Sequence, residues 1–342
     1  MNKRKICFYA RAKESWHLDL LDYYTNDIKI FEELGYDVIK VHNPKMLPKD
    51  CDLYYIWWWS SGIVPLRKAK KWGKPVIMIG NIHYSDVSKQ GYHNRPFLIK
   101  MFIKYCLRNS DMQIATSKIE FDGINILNAS NPKMLYHCIN SDKFIYKPYK
   151  GRKNYIFTLT QLTHVNIERK KVKEIIKAFQ NVLLKNRDVK LYIAGNKTDN
   201  GYSDLYNFVN ENKLSDNVLF LGRITDEEKI KYYQECKIYI QPTSYEGFGL
   251  AIAESMSCGA PVITSNNGAV YEVAGDQALY VNPDDISDIE NKILILLNDE
   301  KLCENLSING ASRIRELFSF SKRKKQINEL LDGTFAKKPN ND

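Results

Sequence analysis

The sequence predicts an α/β protein with two doubly wound parallel-sheet domains joined by a polar linker. Short, nearly continuous apolar runs alternate with amphipathic stretches, as in parallel sheets that helices cover on both faces. The alternation stops once, at a polar segment that contains Pro and Gly, and then restarts. A length of 342 residues suits two such domains. We therefore expect domains at 1–148 and 155–318, with the linker at 149–154.

The first domain is predicted to contain six strands with helices between several of them. Apolar runs predict strands at 6–10, 37–41, 53–57, 75–79, 112–115 and 134–137. Helices are predicted at 18–34, 62–72, 95–108 and 118–127. Gly35 follows the first of these helices, where glycine commonly ends a helix in a left-handed conformation.

The second domain repeats this pattern. Strands are predicted at 155–160, 191–195, 218–222 and 238–240. Apolar residues from Val172 to Leu183 recur at helical spacing and predict an amphipathic helix. Further helices are predicted at 286–298 and 301–318, and a last one at about 320–332 is expected to pack back on the first domain. Ligands bind such sheets at the carboxyl ends of the strands, so we expect a binding cleft between the two domains.

Composition excludes several classes of protein. Hydrophobic residues make up 44% of the chain and aromatic residues 12%, which indicates a folded protein rather than a disordered one. The seven cysteines are scattered without a C-x-x-C pair, so we expect a reduced, cytoplasmic setting and no zinc or redox site. No apolar run reaches the roughly 18 residues of a membrane helix, and the N-terminus does not resemble a signal peptide. The net charge of +10 suits anionic substrates, lipid headgroups or nucleic acid, or only solubility.

Residues 246–263, EGFGLAIAESMSCGAPVI, carry the most specific chemical signal in the chain. The turn at 247–249 is predicted to open a helix, and the unpaired N–H groups and dipole of a helix N-terminus favour an anion. Glu246 precedes the turn, and Glu254 falls in the first two turns of the helix. Carboxylates accept hydrogen bonds from sugar hydroxyls. The segment therefore predicts a site for a phosphorylated sugar.

This segment resembles the signature of the retaining glycosyltransferases of family 4. The likeness is specific over residues 155–285 and weaker before them. It includes Arg169-Lys170 before the amphipathic helix, Ala194-Gly195, Leu221-Gly222-Arg223, and the run from Glu272 to Asp276. The resemblance implies the GT-B fold, in which two Rossmann-like domains face each other across a cleft.

The resemblance also implies a role for each matching residue. Arg169 and Lys170 match the basic pair that neutralises the donor diphosphate, whose departure needs charge stabilisation. Glu254 matches the ribose-binding carboxylate, and Glu246 matches the residue near the hydroxyls of the donor sugar. No metal is expected, because the basic pair does the work that a metal ion would do. From these residues alone, a solvated helix start would be the favoured interpretation of Arg169-Lys170, and their spacing from the strand and from the later signature reverses that preference.

Other matches are to smaller parts of the family's site. The turn whose backbone meets phosphate and sugar is matched by Gly247, Phe248, Gly249 and Leu250. Gly222 and Arg223 match the region that lines the nucleotide base, and His83 matches a histidine near the anomeric centre. A structural role for His83 and a core position for Phe248 are the alternatives.

The chain departs from the family's pattern at three places. The Asp expected directly after His83 is absent, and Asp86 follows three residues later. The glycine-rich loop near the acceptor is replaced by the glycine-free stretch 11–17, in which Trp16 and His17 are the acceptor-side candidates. Tyr271 stands where the family commonly has Pro.

Three consecutive tryptophans, Trp57, Trp58 and Trp59, follow the third predicted strand. Alternation along a strand would place Trp57 and Trp59 on one face and Trp58 on the other. Core packing is the simplest role, and contact with an acceptor sugar or with lipid is the alternative.

The resemblance predicts transfer of a sugar from a UDP- or GDP-linked donor to a glycan, a lipid-linked or another acceptor. Transfer is expected to retain the configuration of the anomeric carbon and to need no cofactor. The basic excess and the aromatic residues permit peripheral contact with a membrane. Two alternatives stay open: a sugar-nucleotide epimerase of the same fold, and a non-catalytic basic protein that binds nucleotide sugar or nucleic acid. We take the basic residues to be spread along the chain, which argues against nucleic acid, as does the lack of a nucleic-acid motif.

Overall fold

A computed structural model describes residues 3–197 and 200–335. The chain divides into two compact units. The described residues up to Cys138, together with those from Phe318 onward, form the first unit, and Ile139–Leu317 form the second. None of the helices in the described part of the chain combines the length and the apolar character that crossing a bilayer requires.

The first unit is built around a parallel sheet. Its strands are β1 (Lys5–Tyr9), β2 (Asp37–Val41), β3 (Leu53–Trp57), β4 (Val76–Ile79), β5 (Met112–Ala115) and β6 (Pro132–Met134). Its helices are α1 (Asp22–Glu33), α2 (Ile63–Lys71), α3 (Phe97–Asn109), α4 (Lys118–Ile126) and the last helix of the chain, α13 (Phe320–Phe335). The strand order is β2-β1-β3-β4-β5-β6, with every neighbouring pair parallel.

Two apolar clusters cover the two faces of this sheet. Successive side chains of a strand point to opposite faces, so Cys7 and Tyr9 of β1 join one cluster while Ile6 and Phe8 join the other. The inner strands β1, β3, β4 and β5 are therefore apolar along nearly their whole length. This double burial is the physical reason that the runs were recognisable as strands in the sequence.

A buried ion pair fastens α13 to the first unit. The guanidinium of Arg323 binds both carboxylate oxygens of Asp27 in α1, with Nε 2.7 Å from Oδ1 and Nη2 3.0 Å from Oδ2. The Tyr55 hydroxyl donates to Asp27 Oδ2 at 2.9 Å, and Arg323 also donates to the carbonyl oxygens of Leu135 and Tyr136. The last helix thus completes the unit that the N-terminal residues begin.

The second unit repeats the architecture. Its strands are β7 (Lys153–Leu159), β8 (Lys190–Ala194), β9 (Val218–Gly222), β10 (Cys236–Gln241), β11 (Val262–Thr264) and β12 (Leu279–Tyr280). Its helices are α5 (His164–Arg169), α6 (Val172–Lys185), α7 (Asn200–Glu211), α8 (Asp226–Glu235), α9 (Leu250–Ser257), α10 (Val270–Ala274), α11 (Ile286–Asn298) and α12 (Glu300–Leu317). The strand order is β12-β11-β10-β7-β8-β9, again all parallel.

The boundary between the units lies before the expected linker at 149–154. Residues from Ile139 onward belong to the second unit, because their backbone is bonded to it. Ser257 Oγ donates to the carbonyl of Phe144 at 2.8 Å, and Lys147 N donates to the carbonyl of Cys258 at 3.3 Å. These partners lie more than a hundred residues later in the chain, so local composition gave no sign of them.

The expected alternation of the three tryptophans is wrong. Strand β3 ends at Trp57, and Trp58 has a φ of 71°, in the left-handed region that breaks the alternation of a strand. Trp57 consequently packs in one apolar cluster of the sheet and Trp59 in the other. Both are almost completely buried, so core packing accounts for them. Trp58 donates from Nε1 to the Tyr24 hydroxyl at 2.6 Å.

Candidate functional site

The candidate site lies where strand β10 ends in the second unit. The last residue of β10 is Gln241, and residues 242–249 then lead into α9. The loop after the neighbouring strand β7 leads into α5, whose last residue is Arg169. Because β7 and β10 pair in parallel, both loops leave from the carboxyl edge of the sheet, where ligands bind in folds of this kind.

Glu246 is the centre of a cluster of four polar side chains. Its Oε1 accepts hydrogen bonds from Arg169 Nη1 at 2.8 Å and from Gln241 Nε2 at 3.1 Å. Lys170 Nζ lies 3.6 Å from the same oxygen and donates to Gln241 Oε1 at 3.2 Å. The side chains of Arg169, Lys170 and Glu246 are 17%, 14% and 15% exposed. The charges are thus largely withdrawn from water but still accessible to a ligand.

Arg169 is held by its backbone as well as by its side chain. Its carbonyl oxygen accepts hydrogen bonds from Ser244 N at 2.7 Å and from Thr243 Oγ1 at 3.3 Å. Its Nη1 also donates to the carbonyl of Tyr245 at 2.9 Å, and its Nη2 to Asn166 Oδ1 at 3.2 Å. The two loops are therefore bonded to each other, and the guanidinium is positioned before any ligand arrives.

Lys170 is a desolvated cation. Burial lowers the pKa of its ammonium group below the ordinary value, and the Glu246 carboxylate partly offsets that effect. The neighbouring Arg169 lowers this pKa further, whereas Glu254 raises it. Since nearby negative charge favours the protonated form, an anionic ligand at this position would stabilise the charge on Lys170.

Glu254 is the second carboxylate of the segment and lies in α9, almost buried at 5% exposure. Its Oε2 accepts a hydrogen bond from the Tyr233 hydroxyl at 3.3 Å and lies 3.4 Å from Lys229 Nζ. The phenol of Tyr239 is influenced by both carboxylates, because burial first, then Glu254, then Glu246 raise its pKa. The two glutamates therefore share a buried neighbour but make different direct contacts.

The turn before α9 has the geometry of an anion site. Gly249 begins the helix with a φ of 97°, where residues with a side chain are strained. Gly249, as the N-cap residue, has no side chain with which to cap this end, and the N–H groups and dipole of the helix favour negative charge there. Gly247 and Phe248 are buried and Leu250 is half-buried. The backbone of Phe248, rather than its ring, is the part suited to meet a ligand.

Gly222 and Arg223 lie at the same edge of the sheet, three strands away from β10. Gly222 ends β9 with a φ of 70°, and its carbonyl accepts a hydrogen bond from Gly195 N at 2.8 Å. A Cβ at Gly195 would lie 1.6 Å from the carbonyl oxygen of Thr160, so this close approach of loops requires glycine. Arg223 is exposed.

Three residues near the site were not predicted from the sequence. Gln241 links Lys170 to Glu246 through hydrogen bonds. In the sequence it could have been recognised as a polar residue at the carboxyl end of an apolar strand. Gly268 has a φ of 68°, and a Cβ there would lie 2.2 Å from the carbonyl oxygen of Glu246. Its signal was the Asn-Gly pair, which marks a turn. Lys229, beside Glu254, had no sequence signal.

His83 belongs to the first unit, in the segment after β4, and has a φ of 56°. Its backbone N–H and that of Ile82 donate to the buried carboxylate of Glu120 in α4. Its Nδ1 lies 3.7 Å from Asp86 Oδ2. Burial raises the pKa of Asp86, but the nearby His83 imidazole and hydrogen bonding from Ser88 outweigh it and leave that pKa below its ordinary value. Asp86 therefore lies beside the imidazole of His83, although it follows three residues after His83 instead of directly after it.

Trp16 and His17 also belong to the first unit. They lie in a short 3-10 turn, Ser15–Asp19, that precedes α1. Their rings stack with centroids 4.0 Å apart and an angle of 20° between planes. Trp16 is 52% exposed, so the pair offers an aromatic surface to solvent.

The structure thus brings Arg169, Lys170 and Glu246 into direct contact, whereas Glu254 contacts Tyr233 and Lys229 and acts on Lys170 through its charge. His83, Trp16 and His17 form separate groups in the other unit. In the described ranges, no group of three or more His, Cys, Asp or Glu side chains has the arrangement of a metal site.

Several known proteins resemble this chain in sequence or in structure. The family model described as Glycosyl transferases group 1 matches residues 142–313, just over half of the 342-residue chain. O-antigen chain mannosyltransferase B of Escherichia coli is 31% identical over 151 residues, which are 43% of this chain and 39% of that protein. Capsular polysaccharide biosynthesis glycosyltransferase CapM of Staphylococcus aureus is 31% identical over 188 residues, 54% of this chain and 44% of that protein. The chain therefore matches less than half of the length of either relative.

A solved structure is similar over almost the whole chain. HepE of Anabaena, in complex with UDP-glucose, has a TM-score of 0.77 at 16% identity, over 96% of this chain and 99% of that one. This likeness shows the fold, and together with the two parallel sheets it defines a two-domain, Rossmann-like protein of the GT-B class. The chain belongs to the glycosyl transferases group 1 family.

Proposed function

We propose that this protein is a glycosyltransferase that moves a sugar from a nucleotide-diphosphate donor to an acceptor hydroxyl. The observation that carries the proposal is the contact of two cations, Arg169 and Lys170, with one carboxylate oxygen of Glu246, at 2.8 and 3.6 Å. A diphosphate carries the charge that an Arg fork and a Lys point charge bind. Once the diphosphate engages the cations, Glu246 can accept hydrogen bonds from the hydroxyls of the sugar.

In the proposed reaction, the bond between the anomeric carbon and the β-phosphate oxygen breaks, and the acceptor oxygen bonds to that carbon. The acceptor proton passes to the departing diphosphate on the same face, which gives retention of configuration. Arg169 and Lys170 stabilise the charge that develops on the leaving group. Glu246 and Glu254 come from one turn-helix segment, unlike the opposed acid and nucleophile of glycosidases, which supports a route without a glycosyl-enzyme intermediate.

The donor is proposed to be a UDP- or GDP-linked sugar, bound without a metal ion. Glu254 would hold the ribose hydroxyls, the turn at 247–250 would meet phosphate and sugar, and Gly222 and Arg223 would lie beside the base. The complex of HepE with UDP-glucose supports the UDP form. The Arg169–Lys170 pair supports metal independence, because it can supply the positive charge itself.

The acceptor is proposed to be a growing glycan or a lipid-linked saccharide in polysaccharide biosynthesis. The names of two relatives, which concern O-antigen and capsular polysaccharide, support this class. His83, fixed by Glu120 and accompanied by Asp86, is proposed to contact the transferring sugar. Trp16 and His17 are proposed to contact the acceptor, since exposed aromatic faces suit sugar rings.

The test is a panel of UDP- and GDP-sugars incubated with the purified chain and oligosaccharide or lipid-linked acceptors. Free nucleoside diphosphate is measured, and NMR gives the anomeric configuration of the product. We expect one donor to release its nucleotide in an acceptor-dependent way and to yield a product of retained configuration. Donor binding without release for the whole panel would indicate a non-catalytic protein. Conversion of the nucleotide sugar to its epimer without acceptor would indicate an epimerase.

A further inference from the structure

One stretch of the first unit has a strong net positive charge. Residues 53–110 contain ten Lys and Arg residues and one acid, Asp86, so their net charge is +9. It is not the only basic part of the sequence, since residues 143–187 contain twelve Lys and Arg residues and two acids, a net charge of +10. The basic residues are thus spread along the chain, and what distinguishes this stretch is the apolar side chains that are exposed beside its charges.

Helix α3 lies in this stretch and is amphipathic in an unusual way. Its inner face packs in the core through Ile103, Cys106 and Leu107. Its outer face mixes large apolar and basic side chains instead of purely polar ones. We define the α3 face by its exposed residues Phe97, Leu98, Met101, Lys104, Tyr105 and Arg108.

The spacing within the α3 face places these residues side by side. Phe97, Met101 and Tyr105 follow one another at intervals of four, as do Lys104 and Arg108, so each set lies along one side of the helix. Phe97 is 73% exposed. In the described part of the chain, no other helix exposes more than two large apolar side chains, whereas α3 exposes four.

The surroundings of α3 extend the same surface chemistry. Helix α2 packs beside α3 and exposes Val64, Arg67 and Lys71 at helical spacing. Val87, in the loop before α3, is almost fully exposed. The carbonyl oxygen of Val87 accepts a hydrogen bond from Asn94 Nδ2 at 3.1 Å. That bond ties the loop close to the start of α3. Exposed basic and apolar side chains therefore lie on the helix packed against α3, and a further exposed apolar side chain lies in the loop before it.

We propose that the α3 face docks the first unit on an anionic lipid surface. Basic side chains bind acidic headgroups, and the apolar side chains between them insert into the boundary between headgroups and acyl chains. The helix would lie in the plane of the interface, because its other side is already packed in the protein core. This inference does not depend on the donor site, which belongs to the other unit.

A lipid surface fits this face better than nucleic acid does. Phosphate backbones engage Lys and Arg, but they offer nothing to Phe97, Leu98 or Met101, which would stay exposed to water in such a complex. A lipid interface satisfies both kinds of side chain at once. A second copy of this chain would present the same charges, and like charges facing each other oppose association.

The proposal is tested with the full chain and sedimented vesicles, without any nucleotide sugar. The vesicles contain phosphatidylcholine alone or with about a third of phosphatidylglycerol, which supplies the negative surface potential. Two variants alter the α3 face: Lys104→Glu with Arg108→Glu, and Phe97→Ser with Met101→Ser. Two matched controls make the same kinds of change on exposed sites elsewhere: Lys322→Glu with Lys325→Glu, and Leu184→Ser with Ile308→Ser. All changed side chains are exposed, and circular dichroism verifies that each variant folds.

We expect wild type and both controls to bind the anionic vesicles at least about tenfold more tightly than the neutral ones. Each α3-face variant should lose about tenfold or more of that binding. Equal binding by wild type and the charge-reversed variant would overturn the proposal, as would equal binding to both vesicle types. Tighter binding to duplex DNA than to vesicles, unchanged in Phe97→Ser with Met101→Ser, would assign the face to nucleic acid. A vesicle-free dimer that the same variant dissociates would assign it to self-association.

Discussion

The two units each contain an arginine bound to a carboxylate, but the two pairs differ in every other respect. Arg323 and Asp27 are completely buried, and both carboxylate oxygens are bonded within the first unit. Arg169 and Glu246 remain partly exposed, and the hydrogen bonds of Arg169 and Gln241 and the ion pair of Lys170 all involve one oxygen of Glu246. In the first pair, hydrogen bonds occupy both oxygens of the Asp27 carboxylate. In the second pair, two cations lie close to a single oxygen of Glu246.

The difference indicates what each pair is for. A fully bonded, buried pair leaves no room for a ligand, and its loss leaves a desolvated charge, so it is expected to act on folding. A partly exposed cationic cluster with a depressed Lys pKa gains from an incoming anion, so it is expected to act on binding and turnover. The five predictions below separate these two roles, in order of decreasing effect.

Removal of the buried pair should have the largest effect. Arg323→Met leaves the buried carboxyl group of Asp27 without its cation, which should lower the free energy of unfolding by about 3–5 kcal/mol. Chemical denaturation measures the loss. Lys324→Met is the matched control, because Lys324 pairs with Glu33 in an exposed position, and it should cost less than about 1 kcal/mol. Equal losses in the two variants would refute the structural role of Arg323.

Lys170→Ala should lower donor turnover by on the order of a hundredfold or more, because the leaving group loses a charged partner. The change should leave the denaturation midpoint near that of wild type, in contrast to Arg323→Met. Initial rates of nucleotide release measure the effect, and the exposed Lys173→Ala serves as control. Wild-type rates in Lys170→Ala would remove this residue from the site.

Glu254→Ala should also reduce kcat/KM by on the order of a hundredfold, since a buried carboxylate partner of the ligand is lost. Glu254→Gln keeps an acceptor oxygen without the charge and should fall between wild type and Glu254→Ala. Glu227→Ala on α8 removes an exposed acid near the same region and should change little. If all three variants match wild type, the assignment of Glu254 fails.

His137 should make the first unit sensitive to mild acid. It is buried against Trp57, and burial first, then the charge of Arg323, lower the pKa of its imidazole well below the ordinary value. Above about pH 6.5 the imidazole is neutral in both states, so it has no effect there. Below that pH the unfolded chain binds a proton that the folded chain does not, so stability falls by about 1.4 kcal/mol per pH unit.

The slope is measured by denaturation at several pH values between 7 and 5.5. His137→Gln should flatten it, whereas His164→Gln, at a side chain that is 58% exposed, should leave it as in wild type. An unchanged slope in His137→Gln would show that other groups cause the acid sensitivity.

Chelation should have no effect on turnover. The proposed leaving-group stabilisation comes from Arg169 and Lys170, so EDTA should leave nucleotide release unchanged. The control adds excess magnesium to the treated protein, and the rate should again be the same. Activity that EDTA abolishes and a divalent ion restores would contradict the proposal.

The sequence allowed the inner strands β1, β3, β4, β5, β7, β8 and β10 to be found, because each is buried on two faces and is apolar along most of its length. The two-residue strand β12 was not predicted. The sequence also picked out Glu246 and Glu254, since the intervening glycine turn has a local signature. These features depend on residues that are close in the chain. A single sequence carries such local information well.

What the sequence did not disclose depends on distant partners or on backbone torsion. Asp27 looked like a polar residue on an amphipathic helix, and only the fold shows that Arg323 binds it. The left-handed φ of Trp58 puts Trp57 and Trp59 on opposite faces of the sheet instead of the same face, and the residue type gives no sign of that torsion. The segment after Cys138 joins the second unit through bonds to residues near 258, which no local pattern could indicate.

The return of α13 to the first unit has a consequence for how the chain is made. Asp27 leaves the ribosome early, and its partner Arg323 is 296 positions behind it. At about 5–20 residues per second, the nascent carboxylate waits roughly 15 to 60 s for its counterion. The second unit, which is continuous in sequence, can finish folding during that interval. A chain that terminates before α13 would therefore contain a folded second unit, but its first unit would lack the helix that completes it.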